Sequence, residues 1–520
     1  MSETLRLSTK HLSIATPAKP LFSDLSFTLH AGEAIAVIGP NGCGKSSLLR
    51  HLTSIADSTG GVWCDANERD TDGLITDGGV HVAPNTLTVI LSQVIVPWHV
   101  ARSLMHDQDD GLVRRMAHEF GCDDCTREPE EMSAGELQKW TLIGLLSQQA
   151  DLYLLDEPSN YLDLPGIVAL EEQITRCTAA GSAFLIVTHD RELSDRVCDQ
   201  TIYLSPQGIY QTPGGATKAL AFEAADVASR RQQAADLRRK IKQLEDDCRT
   251  RLGWAKQKEK SKRGAGAAKG HISHLSAKMA RRAKTAQKQA DKQREKLESA
   301  RPFVPKAIAL SLPSRTIPMR TVFSLEEVSF SYYIYDLEVQ PIFREVSLGA
   351  TTRDKICLMG GNGAGKTTLL KLITGQLAPD SGTAYRNEAV RLTVIPQGLV
   401  GYFQHDCLLD NFRFSDIPEE SVRQYLGAAL LRGETVLRPL DQLSQGELMR
   451  AAIVHTILQQ SDFFILDEPT SHLDLESIAV LESLLTSFSG GYLVVSHDRA
   501  FVSTIADRLF YVDAGGIRLA

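Results

Sequence analysis

Four short motifs occur twice in this chain of 520 residues, in the same order and at a nearly constant separation. Gly39-Pro40-Asn41-Gly42-Cys43-Gly44-Lys45-Ser46 returns as Gly360-Gly361-Asn362-Gly363-Ala364-Gly365-Lys366-Thr367. Ser133-Ala134-Gly135-Glu136 returns as Ser444-Gln445-Gly446-Glu447, and Leu155-Asp156-Glu157-Pro158 as Leu466-Asp467-Glu468-Pro469. Thr188-His189-Asp190-Arg191 returns as Ser496-His497-Asp498-Arg499. An ordered repeat of this length predicts a tandem duplication, two copies of one fold rather than one oversized core.

Each motif has a physical reading. Both glycine-rich segments fit G-x-x-x-x-G-K-[ST], follow apolar strands at Ala34–Ile38 and Lys355–Met359, and open helix-forming runs at Ser46-Ser47 and Thr367-Thr368. In that strand–loop–helix context, inward-turned backbone N–H groups and a helix dipole cradle a phosphate. Lys45 and Lys366 are expected to reach the β- and γ-phosphates, and Ser46 and Thr367 to ligate Mg²⁺. The apolar runs Leu152–Leu155 and Phe463–Leu466 read as buried parallel strands, with Asp156 and Asp467 at the ends where such sheets place ligands. These carboxylates suit the Mg²⁺ shell, and Glu157 and Glu468 are placed to orient or polarise an attacking water. His189 and His497 follow two further apolar strands and read as γ-phosphate contacts.

These residues resemble the ABC ATPase superfamily. Its signature is matched by Met132-Ser133-Ala134-Gly135-Glu136-Leu137-Gln138 and Leu443-Ser444-Gln445-Gly446-Glu447-Leu448-Met449, although both copies lack the second glycine. The resemblance implies that Ser133, Gly135 and Glu136 of the first half serve the nucleotide on Lys366, and Ser444, Gly446 and Glu447 the nucleotide on Lys45. Intact Glu157 and Glu468 imply that both sites hydrolyse ATP. Asp156-Glu157-Pro158-Ser159-Asn160-Tyr161-Leu162-Asp163 and Asp467-Glu468-Pro469-Thr470-Ser471-His472-Leu473-Asp474 are similar to the D-E-P-T-N-H-L-D of the ABC-F class, with Tyr161 in place of the usual histidine. Gln93 takes the role of the glutamine that completes the nucleotide and Mg²⁺ shell in the first half. In the second, Gln397 has the better spacing from Lys366, while Gln404 sits in an equally family-like sequence; the reading leans to Gln397. Tyr332 or Tyr333 can stack on adenine in the second half, whereas no aromatic stands between Lys10 and Pro20 in the first.

The middle of the chain differs from both halves. Residues 230–301 hold 23 Lys and Arg against 8 Asp and Glu, a net of +15 in a chain whose total is −8. Leu237, Ile241, Leu244, Cys248 and Leu252 recur at helical spacing, as do Leu275, Met279, Ala283, Ala286 and Ala290 after Gly264-Ala265-Gly266. The pattern predicts two long antiparallel helices with a basic tip around Lys256 to Lys284. A field of this sign favours a polyphosphate partner, and a rigid basic hairpin suits structured RNA read by shape. The candidate contacts are Lys256, Lys258, Lys260, Lys262, Arg263, Lys269, His271, His274, Lys278, Arg281, Arg282 and Lys284. The stretch Gly270 to Lys284 is also similar to the interdomain linker of ABC-F ribosome-protection proteins, which implies entry into the ribosomal tRNA exit site beside rRNA and P-site tRNA.

The fold class expected is therefore α/β: two P-loop ABC ATPase domains, 1–213 and 319–520, joined by a basic α-helical hairpin over 214–318. The resemblance implies an ATP- and Mg²⁺-dependent ribosome binder that displaces an antibiotic, with rescue of stalled ribosomes or a fused transporter ATPase as alternatives. At 43% hydrophobic and 23% charged residues, no stretch approaches the roughly 20 apolar residues of a membrane span. The N-terminus shows no signal-peptide core, and nine scattered cysteines fit a reducing compartment. The expectation is a cytoplasmic monomer with no membrane domain and no obligate protein partner.

Overall fold

The computed structural model describes residues 4–17, 19–56, 62–64, 74–84, 86–92, 98–105, 110–122, 132–205, 208–261, 269–299, 317–334, 338–399, 401–414, 417–471, 473–513 and 515–519. They form two compact units, one of residues 1–219 with 306–520 and the other of residues 220–305.

The first half opens with β1 (Leu5–Ala15), β2 (Pro20–His30) and β3 (Ala34–Ile38), then α1 (Lys45–Ala56), β4 (Val62–Cys64), β5 (Ile75–Val82) and β6 (Thr88–Leu91). Helices α2 (Trp98–Met105), α3 (Asp110–Glu119) and α4 (Ala134–Leu146) precede β7 (Leu152–Asp156), α5 (Leu164–Ala179), β8 (Ala183–Val187), α6 (Arg191–Val197), β9 (Gln200–Ser205) and β10 (Gly208–Pro213). After α7 (Ala216–Ser261) and α8 (Lys269–Ser299), the second half repeats the plan with β11 (Thr321–Ile334), β12 (Glu338–Thr351), β13 (Lys355–Gly360) and α9 (Lys366–Thr374). It continues through β14 (Ser381–Arg386), β15 (Leu392–Ile395), α10 (Glu419–Ala428), α11 (Gln445–Leu458), β16 (Phe463–Asp467) and α12 (Leu475–Ser487). It closes with β17 (Gly491–Val495), α13 (Arg499–Ile505), β18 (Arg508–Asp513) and β19 (Gly516–Leu519).

The two sheets that carry the repeated motifs run β10-β9-β3-β8-β7-β6-β4 and β15-β16-β17-β13-β18-β19, so that β9-β3-β8-β7-β6 and β18-β13-β17-β16-β15 correspond strand for strand. Pairing among these strands is parallel. Every residue of β3, β8 and β17 is buried, which is what a parallel strand covered on both faces requires. A second, antiparallel sheet stands in each half, β2-β1-β5 and β12-β11-β14, with β2 packed against the loop at Gly44 and β12 against the loop at Gly365. The duplication extends to backbone irregularities: non-glycine residues with positive φ occur in pairs at His11 and Glu327, Asp24 and Glu345, Gln149 and Gln460, and Glu157 and Glu468.

The hairpin unit is built as the periodicity predicts, with differences at its far end. Helix α7 has 46 residues and spans about 70 Å. Ile241, Cys248, Ala283, Ala286 and Ala290 are buried along the seam, where Cys248 Sγ donates to Gln287 Oε1 at 3.4 Å and Arg294 pairs with Glu245. Leu252, expected in the seam, is 42% exposed. Because α8 begins at Lys269, Lys278 to Lys284 lie on the body of that helix, so the basic tip is shorter than the sequence implied. No helix among the described residues is long and apolar enough to cross a membrane.

Candidate nucleotide-binding sites

Each phosphate loop leaves its strand and closes around its lysine. Lys45 Nζ donates to the carbonyls of Gly39 (2.8 Å) and Pro40 (3.1 Å), and Lys366 Nζ to those of Gly360 (2.8 Å) and Gly361 (2.9 Å). Gly365 must be glycine: its φ is 96°, and a Cβ there would stand 2.6 Å from Ile342 Cγ2. Only then can the chain turn into α9 with its free N–H groups facing the loop.

Asp156 and Asp467 are the last residues of β7 and β16. Asp156 Oδ1 is buried with no hydrogen-bond partner among the described residues, and Ser46 hydrogen-bonds the same carboxyl. Burial raises the pKa of both aspartates. Ser46, Asp156 and their counterparts Thr367 and Asp467 thus offer hard oxygen donors, one of them orphaned, a set that fits Mg²⁺.

Glu157 and Glu468 follow in left-handed conformations, φ 51° and 47°, with their N–H groups donating to Val187 O (2.8 Å) and Val495 O (2.9 Å) across the sheet. That backbone strain turns each carboxyl beneath a histidine. His189 Nε2 stands 3.3 Å from Glu157 Oε1, and His497 Nε2 stands 3.2 Å from Glu468 Oε1. Burial pushes both glutamates up to about 8, reinforced by Asp156 and Asp467 respectively. Burial and the phosphate-loop lysines push His189 down to about 3 and His497 to about 4. Both imidazoles are therefore neutral at neutral pH, with Nδ1 buried and without a hydrogen-bond partner among the described residues. Lys366 Nζ also lies 3.1 Å from His497 Nε2.

The halves meet crosswise. Asp163 accepts from the backbone N–H of Asn362 (3.1 Å), and Asp474 accepts from that of Asn41 (2.8 Å), so an aspartate of each half holds the phosphate loop of the other. Each aspartate also caps its own helix, through Gly166 N–H in α5 and Ser477 N–H in α12. Behind them stand buried cations of the signature helices: Lys139 Nζ lies 2.8 Å from Asp163, and Arg450 bonds Ser477 beside Asp474. For Asp163, burial is outweighed by Lys139 and backbone donors, and for Asp474 by Asn41 and Ser477, so both stay below the usual carboxylate range. Gly135 is wedged between the halves, where a Cβ would meet Asn362 Nδ2 of the second half and Tyr161 O of its own half, each at 2.6 Å. Farther out, Arg191 pairs with Glu482, and Arg499 with Glu171 and Glu192.

At this junction lies a partly open cavity of about 750 Å³ lined by Lys366, Thr367, Thr368, Gln397 and Glu468 of the second half and by Ser133, Gly135, Glu157 and His189 of the first. Tyr332 lines it too, with its hydroxyl 3.3 Å from Thr368 Oγ1. Gln397 follows β15 into the cavity, whereas Gln404 is exposed and its N–H donates to Asn411. Ser133 and Ser444 are the N-caps of α4 and α11, and Glu136 and Glu447 close capping boxes on them. Those glutamates serve the helix ends locally, and Glu136 does not line the cavity.

Gln93, Lys262 and Arg263 lie outside the described residues, as do the side chains of Lys258, Lys260, Lys269 and His271. Lys256, His274, Lys278, Arg281, Arg282 and Lys284 are exposed on α7 and α8. Reading the sequence missed the crosswise role of Asp163 and Asp474 and the cations Lys139 and Arg450 behind them. The signal was present: the two cations fall one repeat apart, 311 residues, each at the head of a mostly apolar run within its helix.

A family model described as ABC transporter matches residues 22–160 and 343–471. The chain is 27% identical to the probable ATP-binding protein YbiT of Escherichia coli O157:H7, over 97% of this chain and 96% of that protein. It is 27% identical to ABC transporter F family member 4 of Arabidopsis thaliana, over 96% of this chain and 72% of the relative. The match to the putative ATP-binding protein YdiF of Bacillus subtilis (strain 168) is 30% identical over 79% of this chain, and spans only 60% of YdiF. Among solved structures, the complex of archaeal ribosomal stalk protein aP1 with archaeal ribosome recycling factor aABCE1 aligns with a TM-score of 0.60 at 19% identity, over 95% of this chain and 87% of that one.

Proposed function

Because this chain belongs to the ABC transporter family, with relatives named as F family members, we propose that it is an ATPase that binds the ribosome and works through its hairpin. The observation that carries the reading is the cavity in which Ser133 of one half faces Lys366 and Glu468 of the other. A triphosphate bound there would bridge the halves, so its binding would favour the closed arrangement, and its hydrolysis would remove the bridge. Lys366 and the loop N–H groups would hold the phosphates. Glu468 would orient the water and His497 the γ-phosphate, with Glu157 and His189 doing the same on Lys45. Mg²⁺, held by Ser46 and Asp156 or by Thr367 and Asp467, would neutralise charge on the β- and γ-oxygens.

The exposed cations on α7 and α8 support an RNA partner, and Trp254, 55% exposed near the end of α7, offers a ring for an unpaired base. The solved neighbour is a ribosome recycling factor bound to a ribosomal stalk protein, and the linker sequence resembles ribosome-protection proteins, so the partner proposed is the ribosome, at its tRNA exit site. The outcome proposed is displacement of a ribosome-bound antibiotic; relief of stalled ribosomes is the alternative.

The test is co-sedimentation of the Glu157→Gln, Glu468→Gln double variant with 70S ribosomes, with and without ATP. ATP-dependent trapping that is lost when Lys278, Arg281, Arg282 and Lys284 are changed to glutamate is expected. No trapping in the presence of ATP would overturn the ribosome reading.

A further inference from the structure

The two nucleotide sites are built on the same backbone and differ where the base would lie. Strand register fixes the equivalence. In the first half Ile14 pairs with Phe22 and Ala15 with Pro20; in the second Phe330 pairs with Phe343 and Ser331 with Pro341. Beneath the phosphate loops the match continues: a Cβ on Gly44 would meet Leu21 and Phe22, and one on Gly365 would meet Ile342 and Phe343. One step farther out, Tyr332 pairs with Gln340, and both line the cavity on Lys366. The same step in the first half is Thr16 and Lys19, whose backbone groups bond each other as a turn. No Phe, Tyr or Trp lies between Lys10 and Pro20 to replace Tyr332. Lys19 instead directs its ammonium to the phosphate loop, 3.4 Å from Gly42 O.

The chemistry of these substitutions points one way. A ring held edge-on to Phe330, with centroids 5.0 Å apart, presents a face on which a base can stack. Stacking rewards the larger purine surface over a pyrimidine. A threonine offers no such face, and an exposed ammonium at the loop rim attracts polyphosphate whatever base it carries. We propose that the site on Lys45 is a base-tolerant nucleoside triphosphate site, whereas the site on Lys366 selects purines through Tyr332. The two sites can then hold different nucleotides in one closed molecule, a pyrimidine nucleoside triphosphate on Lys45 beside ATP on Lys366. This rests on the reading of both loops as triphosphate sites.

The test uses full-length single-site variants, Lys366→Ala to leave the first site and Lys45→Ala to leave the second, titrated with ATP and CTP in the presence of Mg²⁺. The first site is expected to bind the two within about threefold. The second is expected to bind both nucleotides with help from the ring but to prefer ATP by up to about tenfold, a modest preference set by the stronger stacking of a purine, and to lose that preference in Tyr332→Ala. The gain-of-ring variant Thr16→Tyr, made on Lys366→Ala, should bring ATP preference to the first site. An equal ATP preference at both sites, or no response to either tyrosine change, would overturn the proposal. Failure of every nucleotide to bind either variant and the unmutated chain alike would instead refute the triphosphate reading beneath it.

Discussion

The two halves are alike wherever a triphosphate would touch them and unlike immediately behind and beside it. Both lysines wrap carbonyls of their own loops, both glutamates sit in left-handed backbone under a histidine, and both crosswise aspartates accept from an asparagine N–H of the opposite loop. Yet Asp163 is backed by a lysine and Asp474 by an arginine, and Thr16 stands where Tyr332 stands. In this molecule the halves differ beside the base and behind the crosswise aspartates, and share the groups that would meet phosphate, water and metal.

The largest effect expected follows from the likeness. If both glutamates position water, Glu157→Gln and Glu468→Gln should each remove a comparable share of ATP hydrolysis, and the double variant should fall by roughly 10²- to 10⁴-fold in a steady-state phosphate-release assay. Retention of more than a tenth of the activity by the double variant would remove the glutamates from the chemistry. A large drop from only one single variant would break the symmetry of the comparison.

The next effect uses the difference behind the aspartates. Lys139 and Asp163 are both 8% exposed and 2.8 Å apart, so Asp163→Ala strands a buried ammonium and should cost about 3–5 kcal/mol, read as a lower apparent melting temperature. Asp474→Ala should cost less, because Arg450 keeps its bond to Ser477 and the nearby Glu447 and Glu476. Both aspartates are depressed, so their contribution is present above the unfolded carboxylate value near 3.8 and fades as pH falls through their lower folded values. A melting-temperature difference between wild type and Asp163→Ala that grows on acidification would contradict this sign.

Much of this was legible in the sequence because P-loop chemistry is written in side chains. The order of motifs marked the duplication, and the apolar runs before Lys45, Asp156 and His189 marked the buried strands that hold them. The crosswise contacts were harder to see because Asn41 and Asn362 contribute backbone N–H groups, which leave no compositional trace. Glu136 and Glu447 close capping boxes on their own helices, and because a capping box and a signature share the same spelling the sequence shows both roles as one. The hairpin's seam was readable by periodicity as far as Cys248; beyond it a leucine at the right spacing lies exposed, since spacing alone does not report where the partner helix stops covering it.

The smallest effect concerns the outer ion pairs, where a count of contacts misleads. Arg499 meets two carboxylates, Glu171 and Glu192, whereas Arg191 meets one, Glu482. On that count Arg499→Ala should be the more damaging change. However, Arg196 also lies 3.3 Å from Glu171 and 3.5 Å from Glu192, so both carboxylates keep a cation when Arg499 is removed. Glu482 is 13% exposed and has no other ion-pair partner among the described residues. Leaving a mostly buried carboxylate alone costs more than thinning a network that still holds together. We therefore expect Arg191→Ala to lower the apparent melting temperature more than Arg499→Ala, by the equivalent of about 1 kcal/mol. Adding Arg196→Ala to Arg499→Ala should reverse that order. If it does not, the cations around Glu171 act independently, and the greater number of contacts on the Arg499 side carries no protective redundancy.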